Sequence, residues 1–438
     1  MPSWRGQLSR DSSPSSALPL AYYLVAHAGF GAALLVLVID PSIPGPSFYQ
    51  HRVVALVHLL TLAWLTGSIL GSLYIVGPLA LRAPMPVGKG DWTAFGSFVF
   101  GAGGMVAHFW INTYDGMAWS ALFVIGAVSW VGVRVGRGLD ASKIPWGVAL
   151  HVRLAFFNLL AGAAFGMMIG FDRSRGFLTV SPLAAMFAHA HIAAVGWVMM
   201  LVIGLSYRLV PMLLPAAMPS GGSVAVSAIL VQGGLVALTV ALLADSEHLW
   251  LGALMIVCGV ASFARHVRQT LARRVPRPPA LPARDWSVWQ VHCAFAWLLV
   301  AVASGLVLSI HAPDDYRIQV MWFYGIAGLV GFLAQMVAGM QGRLVPLYAW
   351  YRAYASTGEP PLRAANALPS APFARAIFLS WTAAVPLLVW GLAGAEQSAI
   401  RSGAALLLLG VGMGGAYLIY LLRQAREAAP RLGNNGLP

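Results

Sequence analysis

Imidazoles inside apolar segments are the chemistry this chain offers. Seven of its eleven histidines fall inside stretches long and apolar enough to be membrane helices, and an eighth, His248, is the first residue of another. An ionisable side chain there is costly to bury and marks a functional site by default. Counted along each segment at 1.5 Å per residue, His58, His189, His191 and His108 lie about 7–15 Å below the face opposite the chain ends. His189 and His191 are two residues apart, so on a helix they point about 200° apart, into two neighbouring clefts. Neutral imidazole nitrogens suit haem iron or copper. The competing role, a histidine bonded to a backbone carbonyl at a helix contact, fits His27, His151 and His292 better, because they stand alone.

These residues need a scaffold, and composition says what it is. The chain has 438 residues, 59% hydrophobic and 9% charged. Ordinary soluble domains carry about 25% charged residues, so lipid must solvate this surface. Apolar segments occur near 19–40, 52–80, 92–113, 116–135, 146–171, 181–211, 222–244, 248–265, 286–310, 318–346, 372–394 and 402–422. The expected fold is all-α: a polytopic membrane protein of about twelve transmembrane helices in one domain, 19–422. A polar tail, 1–18, precedes it and a second tail, 423–438, follows.

The net charge of +13 comes from lysines and arginines in short loops between these segments. That placement serves orientation in a bilayer and not nucleic-acid binding. Roughly 18 of them fall on the side of the chain ends and about 5 on the other, which predicts both termini in the cytoplasm. The longest loops on that side are expected at 266–285 and 347–371. Cys258 and Cys293 form no paired motif, so there is no disulfide framework, zinc ribbon or covalent haem attachment site.

An internal repeat organises the segments. Trp64, Gly71, Tyr74 and Pro78 follow His58 at 6, 13, 16 and 20 residues, and Trp197, Gly204, Tyr207 and Pro211 follow His191 at the same offsets. Gly339 and Pro346 keep part of the pattern when counted from Ile326, and Arg-Leu-Val-Pro recurs at 208–211 and 343–346. The spacing is 133 and then 135 residues, four segments each. Three pseudo-symmetric four-helix units follow, approximately 19–135, 146–265 and 286–422, all with one orientation and arranged about an axis along the membrane normal.

The run Ala188-His189-Ala190-His191, Gly196-Trp197, Gly204, Tyr207, Pro211 resembles the tenth helix of the haem–copper oxidase superfamily catalytic subunit, the cbb3-type oxidases and nitric oxide reductases in particular. The resemblance is specific at 188–211 and 57–78 and architectural elsewhere. It implies haem b, with His58 as one axial ligand and His189 or His191 as the other. Equivalent positions of a three-fold repeat face successive clefts, which points to His189 as the partner. The remaining histidine of the pair would bind a second haem or a copper ion, with His108. A bacterial inner membrane, a respiratory role in electron transfer or oxygen or nitric oxide chemistry, and a cytochrome c or other redox subunit as partner are also implied; any enzyme activity would be that of an oxidoreductase.

The sequence departs from the family pattern too. The His-x-His pair lies in the sixth segment, the seventh and tenth lack histidine, and no carboxylate lies mid-membrane. A copper-ligand triad is therefore not in its usual place. Two other functions compete: a haem and copper protein of nitric oxide or metal stress, similar to the NnrS family, and a cofactor-free transporter. The motif His108-Phe109-Trp110 with Tyr114 and Asp115 reads first as an aromatic interfacial belt.

Overall fold

The computed structural model describes residues 16–45, 47–140, 143–213, 216, 223–273, 285–310 and 316–429. Nearly all of the expected leading tail, Arg274, Arg277 and Arg284 of the basic loop, and 430–438 lie outside the described residues. Twelve long helices account for the described chain. They are α1 (Leu18–Ile39), α2 (His51–Ala80), α3 (Lys89–Trp110), α4 (Tyr114–Gly138), α5 (Trp146–Arg175), α6 (Pro182–Met212), α7 (Ser223–Leu243), α8 (Leu249–Ala272), α9 (Trp286–Ile310), α10 (Arg317–Thr357), α11 (Ala371–Gly394) and α12 (Gln397–Glu427). Eleven are long and apolar enough to cross a membrane. The twelfth, α3, has 22 residues but carries Lys89, Asp91, five glycines and His108, which lower its apolarity. The chain is a polytopic, all-α membrane protein.

Two expected loops are shorter than their polarity implied. Helix α10 continues through 347–357 because Tyr348, Ala349 and Ala353 bury themselves against Tyr23, Tyr417 and Leu421. Helix α8 likewise runs on to Ala272, with His266 and Thr270 buried, and α12 extends five residues past 422. Packing extends these helices beyond their apolar stretches, as it does for most amphipathic helix ends.

Helices α2, α6 and α10 touch one another at the centre, and α1 packs along α12, so the first and last helices meet. Helices α3 and α4, α7 and α8, and α11 and α12 pair as hairpins. Each central helix contains a stretch of wider, π-helical turns: Leu59–Gly67, Ile192–Met199 and Ala327–Ala334. All three begin one residue after the repeat positions His58, His191 and Ile326. Such wide turns recur at functional sites.

Indole hydrogen bonds join these stretches. Trp64 Nε1 donates to Ala334 O at 3.2 Å, and Trp197 Nε1 donates to Thr66 Oγ1 at 3.2 Å. Both bonds run from repeat offset 6 on one helix to offset 8 on another, and both tryptophans are fully buried. A buried indole N–H needs such a partner.

Candidate functional site

Helices α2 and α6 bring two histidine rings face to face. His58 and His189 have ring centroids 6.5 Å apart and ring planes within 15°. The Nδ1 atom of His58 pairs with Val54 O at 2.8 Å, one turn back on its own helix. That of His189 pairs with Gly162 O of α5 at 2.9 Å. A ring nitrogen bonded to a carbonyl oxygen must carry the proton, so Nε2 of each ring keeps its lone pair. The same donation to a carbonyl orients imidazoles that bind metals.

Both rings are held from the side. A Cβ on Gly166 would lie 2.7 Å from His189 Cε1, so this glycine gives the ring its seat on α5. Phe109 of α3 stacks beside His58 at 4.5 Å between centroids. His58 and His189 are both half-buried within the bundle.

His191 faces the other way. Its Nδ1 donates to Phe187 O at 2.7 Å, and its Nε2 pairs with the Tyr324 hydroxyl of α10 at 3.0 Å. The α6 helix therefore serves two clefts, one toward α2 and one toward α10. Tyr324 stands two residues before Ile326, the register that His189 holds before His191. The two clefts thus pair the same repeat positions: His58 with His189, and His191 with Tyr324.

His108 stands apart from these rings. Its Nδ1 is bonded to Thr113 Oγ1 at 2.7 Å, and its ring lies on Gly116, across the tight α3–α4 turn. Asn112 makes that turn in the left-handed region, at φ 60°, which asparagine tolerates well. Its neighbour Phe109 is the residue that reaches His58. Among the described residues, no group of three or more His, Cys, Asp or Glu is placed to hold one metal ion. The structure therefore joins His58 with His189 and leaves His191 and His108 in separate surroundings.

The other membrane histidines have local partners. His27 bonds Tyr23 O at 2.7 Å, and His151 bonds Gly147 O at 2.7 Å and Ser227 Oγ at 3.0 Å. His292 meets Trp289 edge to face.

Cationic side chains gather at the end of the bundle beyond these rings. The Arg173 guanidinium lies over both Tyr49, at 4.8 Å, and Tyr114, at 5.2 Å. Burial pushes the Tyr49 phenol above its ordinary pKa, while Arg173 pulls it down. Arg52 lies over Trp110 at 5.3 Å. Hydrogen bonds from Ser42, helped by Arg52 and Arg401, hold the Asp40 carboxyl below its usual range. Arg173 is seven residues beyond Gly166 on α5 and Arg52 six residues before His58 on α2, about 9–10 Å along each helix.

The donor set suits one metal ion between two imidazoles. His58 and His189, with ring centroids 6.5 Å apart and Nδ1 of each engaged by a carbonyl, are the residues that would hold such an ion through Nε2. Tyr324, Gly166 and Arg173 do not stand out in the sequence, where Phe109 reads only as part of an aromatic interfacial belt. Comparing the repeats at two residues before position zero finds Tyr324; the others need the three-dimensional packing. No protein-family model matches the chain, and no curated protein matches it.

Proposed function

We propose that this chain is a haem-binding membrane protein in which His58 and His189 hold one haem b between α2 and α6, and that it carries single electrons within the bilayer. The observation that carries this reading is the pair of near-parallel rings 6.5 Å apart, each with Nδ1 tied to a carbonyl. Haem, were it bound by His58 and His189, would supply one-electron redox chemistry. The residues around it supply position and field. Val54 O and Gly162 O fix which nitrogen faces the iron, and Gly166 and Phe109 fix ring orientation. Arg52 and Arg173 stand at the right height for acidic haem substituents, which guanidinium groups recognise through paired hydrogen bonds.

The second cleft favours an electron carrier over an oxygen or nitric oxide reductase. His191 Nε2 is engaged by the Tyr324 hydroxyl, so neither cleft leaves an imidazole facing an open coordination position. The alternatives of a stress-related haem and copper protein and of a cofactor-free transporter have less support. The described residues bring no three metal-binding groups together, and a transporter gives the facing rings no role.

The same reading includes three four-helix units about an axis along the membrane normal. Its support is the matching start of the three π-helical stretches, the two indole bonds at equal offsets, and the equal registers of the two clefts. A bacterial inner membrane with both termini in the cytoplasm fits the loop charges, and a cytochrome c or another redox subunit is the partner such a carrier requires.

Visible spectra of the detergent-purified protein test the function. A sharp reduced haem b α band that carbon monoxide leaves unmoved is expected. No haem absorbance after expression with ample haem overturns the proposal. A carbon monoxide shift would instead show an open position and favour an enzyme.

A further inference from the structure

A second polar feature lies in the half of the bundle nearer the chain ends, away from the facing imidazoles. Helices α1, α2, α9, α10, α11 and α12 line a partly open cavity of about 50 Å³. A single water needs on the order of 10–15 Å³ by the same kind of measure, so this space holds a few. Its lining includes Gln290, Gln341, Tyr417, His27, Trp64 and Trp381.

Two side chains show what the space is for. Gln290 is 3% exposed, and neither atom of its amide has a hydrogen-bond partner among the described residues. A buried amide left bare bears its full desolvation cost with no bond to offset it. Satisfying both ends takes a ligand that donates and accepts and is only a few atoms in size. His27 donates through Nδ1 to Tyr23 O, so its Nε2 is an acceptor. That nitrogen faces α12 at Gly414, where an added Cβ would lie 3.0 Å away.

Polar groups continue from His27 toward the chain ends. Gln341 donates to Ser68 Oγ at 2.9 Å, and Ser287 lines the cavity in the first turn of α9. Beside Ser287 stands the part-exposed ion pair of Asp285 and Arg343. In the other direction the rings of Phe30, Trp64 and Trp381 lie 5.4–6.1 Å apart and close the path. The ionisable groups nearby are Tyr23 on α1, Tyr417 on α12 and the Asp285–Arg343 pair. Arg343 of that pair stands on α10 between the lining residues Gly342 and Val345, and Arg375 of α11 lies over the lining Trp286 at 5.9 Å.

We propose that this cavity is an internal-water site that keeps the His27 imidazole in proton exchange with solvent. A proton delivered from bulk as hydronium passes along the bound water to His27 Nε2, leaving neutral water and an imidazolium, and returns to bulk by the same route. Nothing in this proposal depends on haem binding.

Water-edited solid-state NMR of the full chain, isotopically labelled and in lipid bilayers, reads it directly. Magnetisation from water is expected to reach the His27 ring and the Gln290 amide early. Asn158, equally buried but bonded to Gly196 O and Gln232, serves as the dry reference and responds late. Gln290→Leu is expected to slow His27 to the Asn158 rate without lowering the melting temperature, because it removes a bare amide. Gln290→Met supplies the same test if the leucine variant folds poorly. A wild-type His27 as slow as Asn158, or a His27 signal that neither variant changes, overturns the proposal.

Discussion

At the scale of single residues, what matters is which nitrogen of each imidazole is free. The helical histidines His27, His58, His151 and His191 all pair Nδ1 with the carbonyl four residues back. The bland role and the functional one thus share a hydrogen bond, and they differ in what Nε2 meets. For His151 it meets Ser227, for His191 it meets Tyr324, and for His58 the neighbour is His189. Gly166 is the residue that permits this last arrangement. Gly166→Val would push a branched side chain into the His189 ring. Changes in the groups that orient a ligand typically weaken binding by about 10–100-fold. Haem titration of the purified variant should show a loss of that order, with the melting temperature of the haem-free protein little changed. Depth along a helix was legible from the sequence, and azimuth was legible only within one helix, as for His189 and His191. Phe109, in place of His108, reaches His58 because one residue turns a helix face by about 100°.

At the scale of elements, one charged group anchors α3 to its neighbours. Asp91 is fully buried in the first turn of α3 and bonds Tyr74 Oη at 2.9 Å, Trp130 Nε1 at 3.2 Å and Arg134 Nη1 at 3.1 Å. From the sequence, Asp91 is one more acidic residue at the end of an apolar segment; its burial comes from side chains on α2 and α4. Arg134→Met should cost about 3 kcal/mol, because it strands a buried carboxylate. The Asp91→Asn/Arg134→Met pair should recover most of that, and thermal unfolding in detergent measures both. Equal losses in the single and double variants would show that the ion pair has no such role. The central helices predict a smaller effect. Trp64→Phe removes the bond to Ala334 O and part of a fully buried ring, and should cost about 2 kcal/mol in the same assay. Helix ends were less legible than helix cores. Tyr348 and Ala353 extend α10 by packing against α1 and α12, which no local pattern encodes.

At the scale of the whole molecule, the twelve apolar segments and the twelve helices agree to within a few residues at most boundaries. A membrane span is set by local apolarity and length, which a single sequence displays in full. The meeting of α2, α6 and α10 was foreshadowed by the shared histidine, tryptophan and proline offsets, since those helices carry the repeat. Eleven helices qualify as spans by length and apolarity; with α3 crossing as the twelfth, both chain ends would lie on one side. Reporter fusions at the C-terminus should accordingly be active for a cytoplasmic fluorescent protein and inactive for a periplasmic phosphatase. The reverse pattern would invert the orientation read from the loop charges.

The central claim is that His58 and His189 together hold one haem, and haem content per chain tests it most directly. Wild-type protein purified after expression with ample haem should carry one haem. His58→Ala and His189→Ala should each lose it, and His191→Ala should keep it. Haem retained by both of the first two variants, or absent from the wild type, would contradict the account.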